Sequence, residues 1–123
     1  MDAISPYKRE NQVLNLSFEF ALQIIEYTEE LEVRKRFNMA NQLFKSGTSI
    51  HANIREAQNA ESKSDFIHKM KIAAKEAEET EGWLMLCNYS KSYPAPDQLM
   101  EKLASILKLL NKIIGTAKRP SAN

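Results

Sequence analysis

This 123-residue chain has one cysteine, two histidines, three glycines and four prolines. A lone cysteine leaves no disulfide framework. The first residues, MDAISPYKREN, lack the apolar core of a signal peptide, so the expected setting is cytoplasmic. With so little glycine and proline there is scant material for the turns of a strand-rich fold. Pro6, Pro94, Pro96 and Pro120 fall where elements would end or in the tails. No apolar run approaches the roughly 20 residues that span a bilayer, and no membrane is expected as a partner. Charge of one sign is also missing: 17 Lys and Arg stand against 16 Asp and Glu, a net charge of +1. That balance argues against a generic polyanion binder, but not against a local basic patch. The length suits one domain with a core of its own.

What is present is helical periodicity. Between Gln42 and Trp83, Leu43, Gly47, Ile50, Ile54 and Ala57 step by four and three, then Phe66, Met70, Ala73, Ala77, Thr80 and Leu84 do the same. Each set occupies one helix face, and a polar break at Asn59–Ser62 separates them. The spacing predicts four helices, over about 11–31, 34–58, 63–91 and 96–116. Asn11 caps the first, and Ser62 or Ser64 the third. The seam of the first helix is read as Leu14, Phe18, Ala21, Leu22, Ile25 and Thr28. Gly47 within a helix costs about 1 kcal/mol relative to alanine, which points to close backbone approach. Short connections give an all-α, up-down-up-down antiparallel four-helix bundle over residues 11–117. Residues 1–10 are expected as a flexible arm and 118–123 as a disordered tail.

Beside the second seam runs a polar ladder: Gln42, Ser46, Ser49, Asn53 and Glu56. A solvated face ordinarily carries lysine and glutamate, because small hydroxyl and amide side chains weaken a helix interior. The ladder therefore reads as partly buried and hydrogen-bonded, with Asn53 and Glu56 its central members and Glu79 a partner from the third helix. A polar surface merely short of charge is the plainer reading.

SGTSIHANIREA followed by SKSDFIHKMKIAAKEAEETEGWL closely resembles the bacterial four helix bundle proteins, also called the 23S rRNA intervening-sequence protein family. The patterns there look like SGTSIGANIxEA, SKxDFIxK and KEAxETxYWL. Ser46–Ile50, Ala52–Ile54, Glu56 and Ala57 match the first; Ser62, Lys63, Asp65–Ile67 and Lys69 the second; Lys75–Ala77, Glu79, Thr80, Trp83 and Leu84 the third. His51 stands where glycine is usual and Arg55 where an acid is common, and both are read as surface positions. The resemblance implies an up-down bundle assembling as a ring-like homopentamer, with no assigned biochemical role. Related pentameric bundle proteins accompany reverse transcriptases in diversity-generating retroelements and bind nucleic acid there.

The apolar surface exceeds what one bundle needs. Leu99, Met100, Leu103, Ile106, Leu107, Leu109, Leu110, Ile113 and Ile114 cover roughly 200° of the fourth helix, against a little over 100° for a monomeric amphipathic helix. Ile72, Trp83 and Leu86 lie away from the third seam. A subunit contact through Ile72, Trp83, Leu86, Ile106, Leu109 and Ile113 is one reading of this surplus, and a wide core face is the other.

Catalytic chemistry has little support. His51 and His68 lie on different helices, Asp65-x-x-His68 occurs once, and no metal-ligand spacing stands out. No metal or cofactor is expected, and Cys87 fits a buried thiol. In an up-down bundle, by contrast, one pole collects Lys8, Arg9, Arg55, Lys63, Lys69, Lys71, Lys112, Lys118 and Arg119. The other carries Glu26–Glu32, Glu78, Glu79 and Glu81, partly offset by Arg34, Lys35 and Arg36. Two functions stay open. One is a non-enzymatic oligomeric scaffold that meets RNA, DNA or a nucleic-acid-bound protein through Lys8, Arg9, Lys63, Lys69, Lys71, Lys118 and Arg119. The other is a small-molecule binder or enzyme using Ser49, Asn53, Glu56 and Glu79.

Overall fold

A computed structural model describes residues 11–120, and these form four helices with no strand among them. They are α1 (Gln12–Val33), α2 (Phe37–Ala57), α3 (Lys63–Tyr89) and α4 (Asp97–Ala117). Each packs on its neighbours in sequence, and α4 closes the ring against α1. Cross-helix contacts fix the senses of the helices. Asn11 Nδ2 donates to Gln58 Oε1 at 2.7 Å, joining the start of α1 to the end of α2. Ser46 meets Thr80, whereas Glu56, ten residues on, meets Lys69. Lys102 meets Glu19, and the Tyr27 hydroxyl donates to the Pro94 carbonyl. In every pair one chain ascends as the other descends, so the four helices alternate in direction.

The starts follow from capping. Asn11 accepts from the Leu14 N–H at 3.1 Å, and of the two candidate serines it is Ser62 that caps α3, accepting from the Asp65 N–H at 3.0 Å. Asp65 reaches back in turn to the Glu61 N–H, a reciprocal arrangement related to a capping box. The α1–α2 turn lies later than the expected Glu32–Arg34. Lys35 adopts the left-handed conformation (φ 62°), its N–H bonds to the Glu32 carbonyl at 2.9 Å, and the Arg36 N–H bonds to the Leu31 carbonyl at 2.8 Å. This is a Schellman ending, with lysine where glycine is usual, which is why it left no mark in the sequence. Left-handed backbone costs a non-glycine residue roughly 1–2 kcal/mol, partly offset by the greater freedom glycine loses on folding. Lys35→Gly should therefore raise stability by about 0.5–1 kcal/mol, a few degrees in Tm. An unchanged or lower melting temperature would contradict this account of the turn.

The expected faces of α2 and α3 are largely the ones that turn inward. Leu43, Gly47, Ile50, Ile54 and Ala57 are buried, as are Met70, Ala73, Ala77, Thr80 and Leu84, with Phe66 packed at the edge. In α1 the face is different. The buried stripe is Val13, Ser17, Phe20, Ile24, Tyr27 and Leu31, with Leu14 and Thr28 on its flank. Leu22 is 46% exposed, and Phe18, Ala21 and Ile25 are half-buried. Apolar residues wrap more than half of this helix, so periodicity offers two stripes. The inward one contains a serine and a tyrosine, whose polar atoms are satisfied inside. Ser17 Oγ donates to the Leu14 carbonyl, and the Tyr27 hydroxyl finds Pro94. Gly47 lies against Ile24: a β-carbon there would sit 2.8–3.0 Å from three atoms of its side chain. Cys87 is buried, with its thiol pushed up by that burial. Residues 118–120 follow α4, where the Arg119 carbonyl accepts from Lys63 Nζ at 3.1 Å, and the rest of the expected tail, 121–123, lies outside the described residues.

Candidate functional site

The ladder on α2 does not act as one unit. Ser46 is buried, with its hydroxyl 2.9 Å from that of Thr80, which also donates to the Glu76 carbonyl at 2.7 Å. Ser49 and Asn53 are half-buried and bonded to each other: Asn53 Nδ2 donates to the Ser49 carbonyl at 2.9 Å and to its hydroxyl at 3.1 Å. Asn53 is thus held by its own helix. Gln42 is exposed. Glu56 is exposed too, although Lys69 Nζ lies 2.9 Å from its carboxylate and bridges α2 to α3. Glu79 is exposed and pairs with Trp83, whose Nε1 donates to it at 3.3 Å. Glu56, expected to be partly buried and hydrogen-bonded within the bundle or across a subunit contact, has its hydrogen bond, to the half-buried Lys69, but in the single chain its own side chain is exposed. Glu79 turns to the next turn of its own helix. Glu76 is half-buried, and its carboxyl is held above the usual range by desolvation and then by Glu79.

The clefts lie elsewhere. Two of about 390 Å³ and one of about 460 Å³ follow the α1/α4 seam, floored by residues such as Gln23, Gln98, Val13 and Ile113. None of these three includes Ser49, Asn53, Glu56 or Glu79.

Of the surplus apolar residues, Ile106 is completely buried and cannot form a contact between subunits. It points straight into the core from α4, whose wide apolar face is in part simply a wide core face. Leu109 and Ile113 pack at the edge of that core and line the α1/α4 cleft. On α3, Ile72 and Trp83 are half-buried and Leu86 is 55% exposed. The face of α1 that the sequence assigned to the core leaves Leu22 outside, with Phe44 of α2 46% exposed.

At the pole where α3 begins and α4 ends, the structure brings Lys63, Lys71, Lys118 and Arg119 together. Lys63 is bonded to the Arg119 carbonyl, and Lys71 faces Lys118 closely enough that its ammonium is pushed below the usual lysine range. Lys69 is set apart: Glu56 holds its pKa up by hydrogen bond and by charge. Lys8 and Arg9 lie outside the described residues. Asp65 and Glu61 share this end, so it is mixed in charge rather than uniformly basic.

One polar contact escaped the sequence. His51 is not a surface residue. It is half-buried between α2 and α1, with Nδ1 3.0 Å from Ser17 Oγ and its ring edge-on to Phe18, centroids 5.5 Å apart. With the Ser17 proton on Leu14, His51 must donate through Nδ1–H. The pair looks like half a hydrolase triad, but Ser17 is wholly buried and out of reach of a substrate. A serine within an apolar stripe, three residues after Leu14, was the available signal.

A family model described as 23S rRNA-intervening sequence protein matches residues 9–112. The chain belongs to this family. A solved structure from Bacteroides thetaiotaomicron VPI-5482, a protein with unknown function from the S23 ribosomal protein family, is 43% identical. The match covers 83% of this chain and 97% of that one, with a TM-score of 0.79. No curated protein matches the chain. The family match takes in α1, α2 and α3 whole and most of α4, and ends at Lys112 within that helix.

In this family member His51 carries a pH dependence of defined sign. Its pKa is lowered first by burial and then by Arg55. The unfolded chain therefore binds more protons between the folded value and about 6.5, so stability is whole above that range and is lost as pH falls through it. The melting temperature should drop between pH 7.5 and 5.5, and His51→Asn should flatten that drop. A variant with the wild-type slope would show that another group is responsible.

Proposed function

We propose that the protein is a non-enzymatic helical-bundle scaffold that assembles as a homo-oligomer and associates with RNA or DNA through its basic end. The observation that carries the reading is the convergence of Lys63, Lys71, Lys118 and Arg119 on one pole, none with a carboxylate partner among the described residues. Oligomer symmetry would multiply that charge, and phosphate contacts gain from counterion release. Lys69, committed to Glu56, contributes less. No exposed aromatic residue lies on these two segments, Lys63–Lys71 and Lys118–Pro120, so binding should tolerate sequence.

For assembly, the proposed contact is the stripe of Ile72, Trp83 and Leu86 on α3, with the exposed edge of α4 beside it, and a pentamer as the number of copies. A cytoplasmic setting fits the free buried thiol of Cys87 and the lack of any described helix long and apolar enough to cross a membrane. Against an enzyme stands the arrangement of the polar groups: Ser17 is wholly buried beside His51, and Ser49 and Asn53 are bonded to each other on α2.

The test is light scattering on the intact protein, joined to filter binding of single- and double-stranded RNA and DNA over a salt series. The expected results are a multimer at micromolar concentration and retention that weakens steeply with salt. A monomer mass would remove the assembly. No retention of any nucleic acid at low salt would remove direct binding.

A further inference from the structure

Two clefts of about 390 Å³ adjoin along the α1/α4 seam, and Gln23 and Gln98 line both. Together they follow α1 from Leu16 to Glu30, about 21 Å at the rise of an α-helix. Two cross-helix bonds frame this trough: the Tyr27 hydroxyl donates to the Pro94 carbonyl at 2.7 Å, and Lys102 Nζ donates to Glu19 at 3.2 Å. Gln23 stands at the waist. Its Oε1 is buried and meets no hydrogen-bond donor among the described residues. Buried polar atoms are ordinarily met. The last torsion of a glutamine is soft, so a turn of the amide presents this oxygen to a donor in the trough.

The charge of the lining says which donor fits. Glu26, Glu30 and Asp97 line one cleft and Glu101 the other. Glu30 has Arg34 at 3.1 Å, and Lys102 is held by Glu19. Glu26, Asp97 and Glu101 form no ion pair among the described residues. These acids are spread along the seam: no set of His, Cys, Asp and Glu among the described residues converges as a metal ion requires. Leu16, Tyr27 and Leu99 line the trough as well. The matching ligand is a long cation. Its ammonium groups are donors with no acceptor to offer, and the methylene stems between them lie along apolar surface. Clefts of this size take small molecules.

We propose that the α1/α4 trough binds a linear aliphatic polyamine, with one ammonium group donating to Gln23 Oε1 and the others meeting Glu26, Asp97 and Glu101. The site uses none of the residues of the basic end and stands apart from the nucleic-acid reading. A lysine-rich peptide carries the same ammonium groups on the same stems, and the experiment separates the two.

The experiment titrates spermidine into the full chain, free of nucleic acid and at low salt, by calorimetry and by NMR of the glutamine side-chain amides. Magnesium chloride and trilysine are titrated in parallel. Spermidine should bind saturably at one site per chain and move the Gln23 and Gln98 amide signals. Gln23→Met removes the acceptor and leaves the charge of the trough unchanged. It should weaken binding roughly tenfold, as expected for the loss of one hydrogen bond to a charged group. Glu26→Gln/Glu101→Gln should weaken it by at least as much. Both glutamates are exposed, so their exchange leaves the fold intact and keeps the test decisive if Gln23→Met is unstable. Wild-type affinity in a folded Gln23→Met protein or in the double variant overturns the site. So does spermidine binding that leaves the Gln23 and Gln98 signals in place, or no binding at all. Magnesium that moves the same signals to the same extent would reduce the effect to charge screening and overturn it too. Trilysine bound as tightly as spermidine would make the occupant a peptide and overturn the polyamine.

Discussion

Gly47→Leu should destabilise the bundle by about 3 kcal/mol or more, the upper end of what overpacking a closed core costs. At roughly 3–6 °C per kcal/mol for a chain of this size, its melting temperature should fall by 10 °C or more. Helix propensity alone predicts the opposite, since leaving glycine in a helix interior gains about 1 kcal/mol. Space decides the sign. Even a single β-carbon would stand 2.8, 2.9 and 3.0 Å from Cγ1, Cγ2 and Cδ1 of Ile24, a residue with no exposure. The two γ-carbons are tied to the α1 backbone through one bond to Cβ, so the helices must separate to make room. Ile24→Ala in the same chain should return part of the loss, because the atoms that clash are gone. The two changes are in contact and should not add. Chemical denaturation of the two single variants and the double variant measures this. A Gly47→Leu protein as stable as the wild type would show that α1 and α2 are not in close contact at this point.

Reversing Lys63, Lys71 and Lys118 to glutamate should remove nucleic-acid retention while the far-ultraviolet helical signal is unchanged. If each cation neutralises one phosphate, the wild-type affinity falls roughly 40-fold between 50 and 200 mM salt, from a slope near 0.9 per contact. The triple variant should lose both that affinity and that slope. Lys69→Glu is the informative comparison. It destroys the 2.9 Å pair with Glu56 and sets two carboxylates face to face, so it should reduce stability more than binding. Full retention by the triple variant, with the wild-type salt slope, would place the nucleic-acid surface elsewhere.

How much of this was readable in the chain differs from helix to helix. In α2 and α3 one regular stripe carries most of the apolar residues, so spacing chooses the inward face and the structure agrees, although Phe44, Met85 and Leu86 lie outside it. In α1, Phe18, Leu22 and Ile25 form a stripe as regular as Phe20, Ile24 and Tyr27. The choice between them depends on neighbours: Gly47 admits Ile24, and Pro94 supplies an acceptor for Tyr27. Those are facts about other parts of the chain, which periodicity within one helix cannot hold. The same limit governed the site. Ser46 meets Thr80 as the ladder reading implies. Asn53, however, satisfies its amide one turn back, and Glu56 is long enough to leave the groove. His51 looked like a surface substitution because its partner, Ser17, is 34 residues away on another helix.

The ring closes through α1 and α4, and that seam holds three of the clefts, with a smaller one of about 280 Å³ between α1 and α2. Its contacts join the most distant parts of the chain: Glu19 and Lys102 are 83 residues apart, against 13 for Glu56 and Lys69. Loop-closure entropy makes the longer connection costlier by roughly 1.6 kcal/mol. The costliest seam to bring together is thus also the one with the most gaps to fill. In kinetic terms, the hairpins of α1–α2 and α2–α3 can form from nearby segments, while α4 docks against α1 across the whole domain. Its amides are the ones that local opening should expose to exchange with solvent ahead of the rest.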